Sequence, residues 1–189
     1  MVVQKNQIPS IMAMIQADVQ PNEYGDYYKG YISLSNKKPL SGLLMKNAEF
    51  MESLFLRLTL ENALFRYEDG KWSIKEMVGH ITDTERIFSY RALSVARDEN
   101  RVLSGYDHNL FVENANFDSH SIQQLQKQYH AVRQATLTLC DSFSDDDLLK
   151  KGEVNNATFS VRALLYAIAG HEMHHINILK ERYLPLLDL

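Results

Sequence analysis

Residues 73–96 read SIKEMVGHITDTERIFSYRALSVA, and this stretch decides the fold class of the chain. Its apolar side chains recur every three or four positions, which is the spacing of one face of an α-helix. They are Ile74, Met77, Val78, Ile81, Phe88, Ala92 and Val95. Ser73 and Glu76 can form a capping box, in which each side chain accepts a hydrogen bond from a backbone amide of the first turn. The stretch therefore predicts an amphipathic helix that continues to about Ala96.

Three further segments carry the same periodicity. The first runs from about Leu40 to Asn62, another starts near Ser121 and ends before Asp141, and the last follows Ser160 and runs to about Arg182. A short helical piece is expected from Ser144. Strand signals are nearly absent, since no Asn-Gly turn and no convincing alternating run occurs. The pattern predicts an all-α four-helix bundle.

The connections between the helices indicate their directions. Roughly ten residues join the first two long helices, which suits an antiparallel pair. The connection from Asp98 to His120 is long enough to travel the length of the bundle, so the second and third helices can run parallel. We therefore expect up-down-down-up topology.

Composition bounds the organisation of the chain and its partners. The 189 residues are 45% hydrophobic and 23% charged, which fits one folded domain over residues 1–189. Within it we expect an N-terminal tyrosine-rich segment at residues 8–38 and the bundle at residues 40–185. The net charge of −4 and the lack of a basic stripe argue against a nucleic-acid partner. No apolar run is long enough to span a membrane.

Cysteine usage and the N-terminus indicate the compartment. The single cysteine, Cys140, cannot form an internal disulfide, and we expect it to be a buried, inert thiol. The N-terminus shows no charged region followed by an apolar run and a cleavage site. We expect a cytoplasmic protein.

The tyrosine-rich segment precedes the first long helix. Tyr24, Tyr28 and Tyr31 share a face if the segment is helical. A short helix packed on the bundle accounts for this spacing, and a lid over a ligand is the alternative.

Three histidines are the candidate metal ligands. His171 and His175 are four residues apart, so they project from one helix face about 40° from each other. His80 lies seven residues after the start of its helix, and His175 lies seven before the end of the last helix. If these helices are antiparallel, both histidines lie roughly 10 Å below the same end of the bundle. His174 points elsewhere, toward solvent or a supporting role. We expect no site role for His108, His120 or His130.

Three neutral imidazoles with an open fourth position are typical of catalytic zinc sites. The expected cofactor is a divalent transition metal, zinc or nickel first, with iron, manganese and cobalt as alternatives. The open position favours catalysis on a small-molecule substrate over a purely structural site. Glu172 and Asp83 are the nearest carboxylates in sequence for a supporting or base role, although no catalytic residue can be assigned.

Other interpretations of the histidines stay open. Residues 171–175 read HEMHH, which also fits the H-E-x-x-H signature of zinc proteases, but a continuing helix replaces the turn that the longer form of that pattern needs. A second alternative is a non-catalytic bundle that metal stabilises and that acts in stress response or as an interaction module. A third is a metal-free bundle dimer with hydrogen-bonded histidines.

Residues 71–91, 160–175 and 181–185, together with Gly105-Tyr106-Asp107, resemble the DinB-like superfamily. The resemblance implies a four-helix bundle, often a homodimer, with metal-binding histidines that map onto His80, His171 and His175. Relatives of this kind include metal-dependent transferases of low-molecular-weight thiols, bacillithiol or mycothiol, as well as an isomerase and proteins described as metal-dependent hydrolases. The resemblance therefore implies activation of either water or a low-molecular-weight thiol.

Overall fold

The computed structural model describes residues 17–187. The helices are α1 (Lys29–Ser35), α2 (Leu40–Arg57), α3 (Leu60–Ala63), α4 (Ile74–Arg97), α5 (His108–Ala115), α6 (Ile122–Cys140), α7 (Asp145–Leu149) and α8 (Val161–Ile178). Short 3₁₀-helices lie at Pro21–Glu23, Asp26–Tyr28, Phe117–Ser119 and Leu184–Leu186, and a short π-helix extends α8 over Leu179–Tyr183. Residues 8–16 of the expected tyrosine-rich segment lie outside the described part of the chain.

Helices α2, α4, α6 and α8 form the four-helix bundle. Contacts between α4 and α6 join Glu85 to Arg133 and Ser89 to Thr136, so these two helices run parallel. At the other face of α4, Trp72 just before the helix accepts a hydrogen bond from Tyr183 just after α8, so α4 and α8 run antiparallel. The predicted bundle and its up-down-down-up topology are confirmed.

Serine side chains begin three of the bundle's later segments as the sequence predicts. Ser73, Ser121 and Ser144 each accept a hydrogen bond from the third backbone amide of α4, α6 and α7, and all three starts are capping boxes. The first long helix ends earlier than expected. Leu58 adopts an extended backbone and Thr59 caps the separate helix α3, so the predicted helix to Asn62 is two helices.

A small sheet closes one end of the bundle, which the sequence pattern did not indicate. Strands β2 (Lys151–Val154) and β3 (Ala157–Ser160) form an antiparallel hairpin, and β1 (Val102–Leu103) pairs with β2 in parallel. Asn155 and Asn156 make the turn with φ of 52° and 61°, a left-handed conformation that asparagine tolerates. Strands of two to four residues are too short for an alternating pattern to stand out.

A polar layer divides the bundle core into two apolar clusters. One cluster lies around Leu44, Phe88 and Leu164, and the other lies around Leu54, Ile81 and Ile176. Between them each long helix contributes buried polar side chains: Asn47 from α2, His80 and Glu85 from α4, Arg133 from α6, and His171, Glu172 and His175 from α8. Burying so many polar groups costs free energy unless they are satisfied, so this layer is where function is expected.

Two expectations from the sequence concern Cys140 and membrane-spanning segments. Cys140 is fully buried, and this burial raises the pKa of its thiol to about 12, so the thiol is protonated at neutral pH. Across residues 17–187, no helix combines the length and the hydropathy needed to cross a membrane.

Candidate metal centre

The antiparallel packing of α4 and α8 brings His80, His171 and His175 together. The His171 Nε2 atom lies 2.9 Å from His80 Nε2 and 3.1 Å from His175 Nε2. One ring nitrogen from each residue lies within 4.8 Å of the other two, and all three side chains are buried. The depth argument from the sequence predicts His80 and His175 at the same level of the bundle, and the structure has them there.

Hydrogen bonds among the three rings do not satisfy them. An imidazole nitrogen carries either one proton or one lone pair, so His171 Nε2 cannot make good hydrogen bonds to two neighbours at once. In a tetrahedral zinc site, bonds of about 2.0–2.1 Å separate the ligand nitrogens by roughly 3.3 Å. The two observed separations are only a few tenths of an ångström shorter. The donor set and its spacing fit one small transition-metal ion.

Burial keeps the three imidazoles neutral, which is the form that binds metal. It lowers the pKa of His80 to about 3, with His108 and His174 adding repulsion. Burial also holds the pKa values of His171 and His175 well below the usual range, and the neighbouring histidines act in the same direction. The lone pairs are therefore available at neutral pH.

Aromatic rings hold the histidines in position. The Trp72 ring lies 4.6 Å from the His80 ring, and Tyr31 packs edge-on against His171 at 5.3 Å between centroids. A metal-binding histidine usually donates its second ring N–H to a fixed acceptor. His175 Nδ1 is buried without such a partner among residues 17–187, so no hydrogen bond at this nitrogen fixes the ring orientation.

Gly170 brings α1 close to the site. A Cβ atom at this position would lie 2.0 Å from the backbone oxygen of Tyr31, so only glycine permits the observed approach. Ser35 also bonds across the same contact, donating its hydroxyl to the Tyr166 carbonyl at 2.9 Å. This contact places Tyr31 against His171 and His174.

The histidines line a cavity of about 400 Å³. Its aromatic walls come from Tyr27, Tyr28, Tyr31, Trp72, Phe88 and Tyr106. A cavity of this volume accepts a small organic molecule with its reactive group beside the nitrogens. The tyrosine-rich segment is helical from Asp26, as expected for Tyr28 and Tyr31, whereas Tyr24 lies before the helix in extended backbone. Tyr27, Tyr28 and Tyr31 also contribute to the cavity wall.

Two histidines outside the expected triad also reach this cavity. His174 is partly exposed, and its ring packs edge-on against that of His175, at 5.1 Å between ring centroids. His108, for which we expected no site role, lies in the wall with its ring 5.6 Å from that of His80. The connection after α4 folds back to deliver it, and no local pattern at His108 signals this return.

The two candidate carboxylates lie elsewhere. Glu172 is buried on the opposite side of α8, where it accepts hydrogen bonds from Tyr129 and Arg133. Asp83 pairs with Arg86 on the surface of α4. Neither residue lines the cavity, so the geometry gives neither a direct base role. In a zinc protease the glutamate of the H-E-x-x-H signature faces the metal. Here Glu172 instead faces Tyr129 and Arg133, so the arrangement does not match that of a zinc protease.

Fold and site together define a four-helix bundle with a buried three-histidine cluster at the end of a cavity. The family model of the DinB superfamily matches residues 45–179, and the chain belongs to that superfamily. No curated protein matches the chain.

A solved structure shares the fold. It is that of YfiT from Bacillus subtilis, described as a probable metal-dependent hydrolase with an unusual four-helix bundle topology. The superposition has a TM-score of 0.68 at 14% sequence identity, and it covers 94% of this chain and 98% of that one.

Proposed function

We propose that this protein is a metal-dependent enzyme in which His80, His171 and His175 bind one divalent transition metal, zinc or nickel. The convergence of three buried, neutral imidazoles at a cavity wall carries the proposal. Neutral imidazoles suit several first-row metals, so iron, manganese and cobalt are the alternatives. The description of YfiT as a probable metal-dependent hydrolase supports the same class of reaction.

The residues around the triad are placed to assist a reaction at a bound metal. A bound metal ion would supply a Lewis acid that lowers the pKa of water or of a thiol at its open position. Trp72 packs against His80 and Tyr31 against His171, so apolar rings lie beside two of the three candidate ligands. His174 and His108 line the cavity close to the triad, so they are the side chains placed to accept or return a proton there.

The nucleophile distinguishes two forms of the proposal. With water the protein is a hydrolase, and with a low-molecular-weight thiol it is a thiol S-transferase. The alternative is a non-catalytic bundle, stress-related or serving as an interaction module, in which the metal only joins α4 to α8. The adjoining cavity favours an enzyme, because a site that only joins two helices needs no space for a substrate.

We also propose a cytoplasmic homodimer that acts on a small molecule and has no nucleic-acid or membrane partner. The family resemblance supports the dimer, and the buried, unpaired Cys140 supports a reducing compartment. Size-exclusion chromatography with light scattering measures the oligomeric state.

The test is the metal content of protein purified without an affinity tag. We expect about one metal ion per chain in the wild type and in His130→Ala, which alters an exposed histidine on α6 bonded to Glu52. We expect loss of the metal in His80→Ala. Absence of metal from all three proteins, even after reconstitution with zinc or nickel, contradicts the proposal.

Metal binding then justifies two substrate screens. One pairs low-molecular-weight thiols with electrophilic acceptors, and the other uses esters, amides and lactones. Turnover in either screen must disappear in His80→Ala. The contrary result is a metal-loaded protein that turns over no substrate of either screen while its melting temperature falls sharply on chelation. That result identifies the non-catalytic bundle.

A further inference from the structure

Arg91 shares the cavity with the histidine triad. It lies on α4 eleven residues after His80, so the two residues point about 20° apart around the helix and are separated by roughly 16 Å along it. Thr84 and Phe88 lie between them on the same face, and all four residues line the cavity. The cavity therefore extends along α4 from the triad at one end to a guanidinium group at the other.

The guanidinium is buried, and no residue of the described part of the chain supplies a counter-ion. Arg91 is 3% exposed, and its Nη2 donates a hydrogen bond to the Ser104 carbonyl at 2.9 Å. Its Nη1 has no acceptor among residues 17–187, and no carboxylate in that part of the chain pairs with it. The charge lies against the rings of Phe88 and Tyr106, at 5.4 and 5.5 Å from their centroids.

A second buried arginine shows how the same bundle normally satisfies such a charge. Arg133, at 5% exposure, forms ion pairs with both Glu85 and Glu172. A buried ion without a partner is strongly unfavourable, because the lost hydration is not replaced. Within residues 17–187 Arg91 has no such carboxylate, although it lines the cavity.

The residues around Arg91 suit an anionic group. Arg91 is the only Lys or Arg in the described cavity wall, and that wall contains no Asp or Glu. The Tyr28 hydroxyl is hydrogen-bonded to Arg91, and the Tyr106 hydroxyl lies 3.0 Å from Thr84 Oγ1. Burial raises the pKa values of both phenols, so they stay protonated at neutral pH and keep a proton to donate. A single positive charge flanked by neutral donors matches one negative charge.

The loop at Gly105 closes this end of the cavity. A Cβ atom at residue 105 would lie 2.1 Å from Asn155 Oδ1, so the missing side chain lets the loop lie against the β2–β3 turn. This approach holds Ser104 beside Arg91 and brings Tyr106 and Asn155 into the wall.

We propose that Arg91, with the hydroxyl groups of Tyr28 and Tyr106, forms a subsite that binds a carboxylate of the molecule processed at the triad. The ligand class is an elongated small molecule with one carboxylate at one end, an apolar or aromatic middle and the reacting group at the other. The assignment of the reacting end rests on the proposed metal site, whereas carboxylate binding by Arg91 does not. The carboxylate can belong to the substrate or to a low-molecular-weight thiol.

The test measures ligand binding to chelator-treated protein whose metal content is verified as negligible, so that a carboxylate cannot bind a metal. The probes are 4-phenylbutyrate and its neutral amide, with N-acetylcysteine and its amide as the thiol pair. Isothermal titration calorimetry gives the dissociation constants. We expect at least one acid to bind about ten-fold or more tightly than its amide, because only the acid pairs with the guanidinium.

Three variants assign that preference to Arg91. Arg91→Met is expected to bind acid and amide alike, while Arg91→Lys retains part of the preference. Arg86→Met makes the same change at an exposed arginine of the same helix, which pairs with Asp83, and is expected to bind like the wild type. Tyr106→Phe removes one donor and leaves the charge, so it tests the subsite if Arg91→Met does not fold.

The outcomes separate this proposal from the metal site. Equal binding of acid and amide by folded wild-type protein overturns the carboxylate subsite, whatever the metal analysis shows. An acid preference that persists in Arg91→Met overturns it as well. Loss of metal in His80→Ala with the acid preference retained supports both sites independently.

Discussion

Replacement of Gly170 by alanine tests whether the close contact between α1 and α8 is required. The added Cβ atom would lie 2.0 Å from the Tyr31 backbone oxygen and 3.1 Å from the Ser35 hydroxyl. A backbone carbonyl cannot rotate away on its own, so α1 must move outward. Overpacking costs about 1–3 kcal/mol, loss of the buried Ser35 hydrogen bond adds about 1, and the better helix propensity of alanine returns about 1. The free energy of unfolding should fall by about 1–3 kcal/mol.

Urea denaturation followed by circular dichroism measures this change. The matched control is Gly42→Ala in α2, where no atom of residues 17–187 beyond the adjoining residues and helix backbone lies within 4 Å of the added Cβ. That variant should be unchanged or more stable by up to about 1 kcal/mol, since it only gains helix propensity. Because the triad lies on α4 and α8, the proposed metal binding should be the same in both variants. A Gly170→Ala protein as stable as Gly42→Ala refutes the requirement for glycine at this contact.

Three further predictions concern the core and the helix caps. Arg133→Met should lower the free energy of unfolding by about 3–5 kcal/mol, because it leaves two buried carboxylates unpaired; a loss below 1 kcal/mol in urea melts contradicts this. The hydrogen bond from Lys150 and the bond at the Ser144 amide lower the pKa of Asp147 to about 2, from 3.8. Its contribution to stability is therefore complete above about pH 4 and lost as the pH falls toward 2. The difference in urea midpoint between the wild type and Asp147→Asn should shrink over that range, and a constant difference excludes this origin. Cys140 should react with a thiol reagent only after unfolding, and rapid labelling of the native protein disproves its burial.

The long helices were predictable because their signals are local. A 3.6-residue apolar spacing and a serine cap are written in adjacent residues, and they located α4 and α6 closely. The break after Arg57 was missed because Leu58 continues the apolar pattern while its backbone is extended. The short sheet was missed for two reasons: the β2–β3 hairpin has strands of only four residues, and β1 and β2 pair across about fifty residues, which no local pattern reports.

The candidate site likewise contains residues that local helix geometry predicts correctly and a residue that it does not. His171 and His175 share a face through helix geometry alone, and the depth argument added His80 once an antiparallel pair was assumed. Glu172 was expected near the site because it is adjacent in sequence, yet adjacent helical positions point about 100° apart. That rotation directs its carboxylate to Arg133 in the core.

The sequence by itself determined the four helices, their order and the three histidines, because periodicity and caps act over a few residues. Only the tertiary structure decided that His108, Tyr106 and Arg91 share the cavity with the triad. Arg91 lies on α4 itself, whereas Tyr106 and His108 reach the cavity through the connection after α4, whose course depends on long-range packing such as the contact of Gly105 with Asn155. That no carboxylate of residues 17–187 pairs with Arg91 is likewise visible only in three dimensions, since pairing depends on distance in space and not on position along the chain.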